Sequence, residues 1–214
     1  MKKHKGKIIA GSIIILFHML IGLYFWNDLA DTMAVHWNAN GQPDGFASKL
    51  FAVVGMPLLL LALYWVCIFV TEKDKKNASQ NDKIMALMLW IVPVISLIAS
   101  AMVYTYALVG EVYDISKAMF VILGAIFAIT GNYLPKCTPS YTIGIKLPWT
   151  LASEQNWHAT HRLGGKLWVI GGIMVAACGL VPSKMTFTFS FVIMVIMVAV
   201  PVIYSYLYSK KNGQ

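Results

Sequence analysis

Six apolar runs alternate with polar segments along the chain: Ile8–Trp26, Phe51–Thr71, Ile84–Val109, Ala118–Leu134, Leu167–Val181 and Thr186–Leu207. None of the six contains Asp, Glu, Lys or Arg, so every formal charge falls in a tail or a connection. A helix rises about 1.5 Å per residue and the hydrocarbon core of a bilayer is about 30 Å thick, so roughly 20 apolar residues cross it. The pattern predicts an all-α membrane protein, a bundle of six transmembrane helices. Pro57, Pro93 and Pro201 lie inside runs, where they would disfavour soluble helices but are tolerated as kinks in membrane bundles. Ile8–Trp26 follows Lys2, Lys3, Lys5 and Lys7; its length, and the lack of a small-x-small site after Trp26, predict a retained anchor rather than a cleaved signal.

Composition agrees with the pattern. Of the 214 residues, 58% are hydrophobic and 12% charged, against about 25% charged in a typical soluble domain. The net charge of +8 does not point to nucleic acid, because the lysines sit between apolar runs rather than on one face of a soluble fold. Their distribution sets an orientation. The N-terminal tail, the second connection and the fourth connection carry four Lys or Arg each and the C-terminal tail two, fourteen together; the intervening connections carry Lys49, Lys117 and Lys184. Fourteen against three predicts both termini in the cytoplasm. The chain then divides into 1–50, the first span with an extracellular loop; 51–117, spans two and three with a cytoplasmic linker; and 118–214, spans four to six with a cytoplasmic loop over 135–166. The connections Glu72–Lys83 and Gly110–Lys117 read as solvated linkers.

Several chemistries are disfavoured. Ion-coupled transport usually requires an intramembrane carboxylate or paired ionisable groups, whereas His18 is the lone ionisable residue of that kind within a run. No GxSxG, HExxH or Walker pattern occurs, so no catalytic residue is expected. Cys67, Cys137 and Cys178 form no CxxC or zinc spacing, and His158 with His161 lacks a third ligand; no disulfide, metal or other cofactor is expected. The lipid bilayer is the partner that composition implies.

Two connections are too rich to be spacers. The first contains His36-Trp37-Asn38, Asn40-Gly41 and Pro43-Asp44-Gly45-Phe46, turn formers beside aromatic and polar side chains, which predicts a compact loop suited to peptide recognition or to anchoring at the aromatic belt. The fourth contains Gly144-Ile145-Lys146-Leu147-Pro148-Trp149-Thr150-Leu151 and Trp157-His158-Ala159-Thr160-His161-Arg162. A helix start near Leu151–Ser153 would put Trp157, His161 and Gly164 or Gly165 on one face, and Lys146 and Arg162 suit anionic headgroups or an acidic protein surface. Gly124, Ala128 and Gly131 in the fourth run, and Gly172, Ala176 and Gly179 in the fifth, mark small faces that predict close packing of these two helices.

The inner segment GIKLPWTL, followed by Trp157-x-x-Thr160-His161-Arg162, resembles the signature of the SdpI family of bacterial immunity proteins. The outer HWN-x-x-G-x-PDG-x-x-SK resembles the N-terminal domain of unknown function often fused to it. The resemblance implies a six-span protein of the Gram-positive cell membrane that protects against a secreted membrane-active toxin of the sporulation-delaying, or cannibalism, type. It also implies capture of a small cytoplasmic winged-helix autorepressor, without direct contact to nucleic acid. The family pattern falls on His36, Trp37, Asn38, Gly41, Asp44 and Lys49 in the outer loop, which would face the toxin. In the inner loop it falls on Asn132, Gly144, Pro148, Trp149, Thr150, Trp157, His161, Arg162 and Gly164, which would serve the cytoplasmic partner. Lys146 stands where the pattern has arginine, keeping the charge without the planar fork of donors, Ser140 stands near an expected asparagine, and the proline usual near Ala30 is absent. Two competing expectations are a small permease or exporter, and a structural envelope-stress membrane protein.

Overall fold

The computed structural model describes the backbone of residues 2–38, 42–110, 113–180 and 185–213. Long helices occupy every apolar run: α1 Lys5–Tyr24, α2 Met56–Lys73, α3 Asp82–Val109, α4 Tyr113–Tyr133, α6 Glu154–Leu180 and α7 Thr186–Lys211, with a short α5 at Pro148–Ala152. Among the described residues, six helices are long and apolar enough to cross a membrane, and only 17–33% of each apolar window is buried within the chain. The remainder presents side chains such as Ile13, Leu59, Ile173 and Val198 outward, an arrangement that is stable only against lipid. The chain is a multi-pass membrane protein. Pro93 and Pro201 sit inside α3 and α7 as expected; Pro57 follows a π-helical turn, Phe51–Gly55, whose register is closed by Met56 N–H donating to Phe51 O.

Two compact units are formed: residues 1–69 with 86–119, and residues 70–85 with 120–214. In the first, α1 buries Ile8, Gly11, Ile15, His18 and Gly22 along one face. A Cβ on Gly11 would lie 2.6 Å from the Tyr64 hydroxyl, and one on Gly22 would collide with Tyr104 and Val53. The glycines therefore let tyrosines from α2 and α3 reach the α1 backbone, where Tyr104 donates to His18 O at 2.9 Å. Between α1 and α2 the chain makes a two-stranded antiparallel hairpin, β1 Thr32–Trp37 and β2 Pro43–Ser48. Met33 and Leu29 are buried with Ala52, Val53, Val103 and Tyr104 beneath it.

In the second unit, the small faces of α4 and α6 meet as the glycine spacing predicts. A Cβ on Gly172 would lie 2.5 Å from both Ala128 N and Gly124 O, and one on Gly131 would lie 2.7 Å from Val169 N. Small residues thus bring the two backbones into direct contact. Trp168, from α6, donates to Met197 O of α7 at 3.0 Å and packs edge-on against Phe127 of α4 at 5.4 Å. One expectation is corrected here. The linker Glu72–Lys83 is not merely solvated: Asn77 and Gln80 are buried, because their amides satisfy backbone and side-chain groups of the 138–142 loop.

Candidate functional site

The outer motif residues lie on the hairpin, which turns their sequence adjacency into a defined geometry. Strand register pairs His36 with Gly45 and Trp37 with Pro43. His36 Nδ1 and Asp44 Oδ1 meet at 2.5 Å across the strands, both largely exposed. Gly45 permits this pairing, since a Cβ there would sit 2.8 Å from His36 Cβ. Asn38 closes the strand end: its N–H donates to Gln42 O at 2.9 Å and its side-chain oxygen accepts Gln42 N–H at 3.1 Å. Trp37 faces inward and packs edge-on against Tyr106 of α3 at 5.9 Å. Lys49 ties the base of the hairpin to the end of α1. Its Nζ donates to Trp26 O, lies 3.2 Å from Asp31 Oδ1 and stands 5.3 Å over the Trp26 ring, while its N–H donates to Asp31 O. Gly41 lies outside the described residues. The polar chemistry presented outward is therefore His36 and Asp44, with exposed Phe46 beside them, whereas Trp37 and Lys49 hold the loop in place.

The inner motif builds a buried knot rather than an open groove. Trp157 and His161 are fully buried and stacked, centroids 4.0 Å apart. His161 Nδ1 donates to Trp157 O at 2.7 Å, so Nε2 is the unprotonated nitrogen and accepts Ile145 N–H at 2.9 Å. Both ring nitrogens are thereby occupied, which leaves His161 no capacity to act as a base or a ligand. Trp157 Nε1 donates to Cys137 O at 2.9 Å. Gly144, at φ +103°, lies so close to this pair that a Cβ there would meet both rings. Thr150 accepts Leu147 N–H at 2.9 Å and donates to Ile145 O at 2.8 Å, capping α5 at Pro148. Trp149 donates to Ser205 Oγ at 2.8 Å and Asn156 to Ser205 O at 3.0 Å, pinning α5 and α6 to α7. Gly164 is buried against Ile145 and Leu134. Asn132, Lys146, Pro148 and Arg162 are exposed. Lys146 donates to Thr142 O at 3.1 Å. Cys137 is buried, and desolvation pushes its thiol pKa up to about 11.

The linker after α2 completes this knot. Asp74 Oδ2 accepts from Ser140 Oγ at 2.9 Å, Tyr141 N–H at 2.9 Å and Thr142 Oγ1 at 3.1 Å, while Oδ1 accepts Lys76 N–H at 3.0 Å. Desolvation alone would raise the carboxyl pKa; the four hydrogen bonds outweigh it and hold it below the ordinary value. Asn77 donates to Thr71 O at 2.8 Å and to Thr142 Oγ1 at 2.6 Å, and Gln80 exchanges two bonds with the Thr138 backbone. Asp74, Asn77, Gln80 and Ser205 are site residues that motif reading missed. The available signal for Asp74 was a carboxylate set directly between Lys73 and Lys75. Among the described residues no three His, Cys, Asp or Glu side chains converge as a metal site would need.

Residues 136–205, which hold this knot from Cys137 to Ser205, match the SdpI/YfhL protein family. Residues 13–61, spanning most of α1, the hairpin and the start of α2, match a domain of unknown function, DUF1648. The chain is also similar to the Immunity protein SdpI of Bacillus subtilis (strain 168), 23% identical over 209 residues, covering 96% of this chain and 97% of that protein. No solved structure matches the chain. Within the SdpI/YfhL segment, the signature residues divide into those that build the knot (Gly144, Thr150, Trp157, His161 and Gly164), one that pins it to α7 (Trp149), and those left at the surface (Lys146, Pro148 and Arg162). Asp74 and Asn132 lie outside both matched segments.

Proposed function

We propose that this protein is an integral membrane immunity protein that protects its cell from a secreted membrane-active toxin, and that it reports toxin engagement to a cytoplasmic winged-helix repressor. The observation that carries the immunity reading is the end-to-end likeness to the Immunity protein SdpI, over 96% of this chain and 97% of that one. Nearly complete coverage of both chains supports a likeness of the whole chains, rather than one shared module in an unrelated context.

The division of labour follows from charge. With fourteen Lys and Arg on one set of connections and three on the other, the positive-inside rule places the hairpin outside and the knot in the cytoplasm. His36, Asp44 and the exposed ring of Phe46 then meet the toxin, on a scaffold set by Trp37, Asn38 and Lys49. The inner surface around Lys146, Pro148 and Arg162 meets the repressor. The protein acts by binding, not by chemistry: in the knot, the stacked His161 has both nitrogens committed. Reporting requires two arrangements of the bundle that differ in toxin affinity.

Toxin-sensitive cells expressing the protein and challenged with purified sporulation-delaying toxin provide the test. Survival is expected to exceed that of cells carrying an empty vector, and His36→Ala with Asp44→Ala is expected to reduce it without lowering membrane abundance. Killing equal to the vector control, with the protein correctly inserted, rejects immunity.

A further inference from the structure

Once the buried signature residues are accounted for, two lysines outside the knot's interior stand in fixed positions. The Asp74 carboxylate binds the 75–80 turn and the 140–142 loop together. As a result Lys76 Nζ stands 4.3 Å from the centroid of the Tyr141 ring. One residue further along the loop, Thr142 O accepts from Lys146 Nζ at 3.1 Å. One ammonium group is thus held over the Tyr141 ring and a second at the carbonyl of the next residue, and Tyr141 is 60% exposed. Among the described residues neither lysine has a carboxylate within ion-pair distance; Asp74, two positions before Lys76, spends its oxygens on backbone and hydroxyl donors. An ammonium carries three N–H donors, so Lys146 keeps two after its bond to Thr142 O.

We propose that Lys76, Tyr141 and Lys146 form the docking surface for an acidic segment of the cytoplasmic partner, with Asp74 as the residue that positions all three. The proposal rests on the reading that this face of the protein meets a soluble protein. Carboxylates on the partner pair with the two ammonium groups, and an apolar portion of the segment covers the tyrosine ring. Exposed aromatic area beside fixed charge is the chemistry of a protein–protein contact; a phosphate headgroup would use the lysines and leave the ring idle. Two of the three residues, Lys76 and Tyr141, lie outside the signature residues, of which Thr150, Trp157, His161 and Gly164 are buried.

The test uses the purified full-length protein in phosphatidylcholine nanodiscs and a fluorescein-labelled oligoglutamate as probe, with oligoglutamine as the neutral control. Oligoglutamate is expected to bind, and Lys76→Gln with Lys146→Gln to weaken it about tenfold, since two partly exposed charge pairs are removed. Lys76→Arg with Lys146→Arg is expected to restore binding, Lys210→Gln with Lys211→Gln to leave it unchanged, and Tyr141→Ala to weaken it with the charges intact. Thermal melting of each variant confirms that the fold persists. Equal weakening by the Lys210 and Lys211 pair reduces the effect to overall charge and overturns the proposal. So does unaltered oligoglutamate binding in the Lys76 and Lys146 pair, including the case where that pair instead loses retention of phosphatidylglycerol, which would make the surface a lipid seat. The assay contains no toxin, so its failure removes the docking surface while the survival assay decides immunity separately.

Discussion

Replacing Trp157 with alanine is expected to collapse the inner knot, at a cost of about 3–5 kcal/mol for the lost ring. The side chain is fully buried, and three separate features depend on it. It stacks on His161 at 4.0 Å, donates to Cys137 O and forms the wall beside Gly144. Removing the indole also strands the Cys137 carbonyl in a buried setting, adding about 1 kcal/mol or more. Folding free energies are about 5–15 kcal/mol, so this single change takes a large share of the margin. Thermal melting in detergent, followed by loss of the monodisperse size-exclusion peak, is the measurement. Trp157→Phe should fall between wild type and Trp157→Ala, because it keeps most of the buried area and loses the hydrogen bond. A wild-type melting curve for Trp157→Ala would remove the knot from the account of the fold.

Gly144→Ala should be the second large effect, and its two causes can be separated. The backbone at φ +103° lies in the region that favours glycine, which costs an L-residue about 1–2 kcal/mol. A Cβ at this position would also stand 2.5 Å from His161 Nε2 and 2.9 Å from the Trp157 ring. Neither neighbour can yield cheaply: His161 Nε2 is engaged by Ile145 N–H and Trp157 Nε1 by Cys137 O. Overpacking of this kind costs about 1–3 kcal/mol, giving about 2–5 kcal/mol in all. Gly110→Ala is the matched comparison, since Gly110 has φ +83° but nothing within 4 Å of its would-be Cβ. It should lose only the backbone portion. Equal melting temperatures for the two variants would show that the contact with His161 and Trp157 does not constrain Gly144.

The helices were legible in the sequence because lipid imposes a simple rule: a charged side chain inside the hydrocarbon is so costly that its absence marks each span. The meeting of α4 with α6 was legible for a related reason. Gly124, Ala128 and Gly131 in one run and Gly172, Ala176 and Gly179 in the other repeat at helical spacing, and without water between helices the close approach of backbones is a main source of attraction. Within the fourth connection, the spacing put Trp157, His161 and Gly164 or Gly165 on one helical face, and all four are buried in α6. The hairpin was harder to see. Thr32–Trp37 is only six residues long, and its pairing with Pro43–Ser48 carries register shifts at Val35 and near Trp37, so no clean two-residue alternation survives. The Asp74 clamp was hidden for a different reason. Asp74 and Ser140 are 66 positions apart, and no local pattern distinguishes a carboxylate with four donors from one facing water. Motif reading also named residues without saying which would be accessible. Burial separates them, putting Trp157 and His161 inside and leaving Lys146 and Arg162 at the surface.

The central claim is that the hairpin and the knot face opposite sides of the membrane, and single-cysteine labelling in intact cells tests it most directly. The native thiols are first replaced; Cys137 is in any case buried, with its pKa raised to about 11. Asp31, whose side chain is fully exposed beside the hairpin, and Gln155, exposed at the start of α6, then receive one cysteine each. Asp31→Cys should react with a membrane-impermeant maleimide in intact cells, and Gln155→Cys only after permeabilisation. Labelling of Gln155→Cys from outside intact cells would contradict the account.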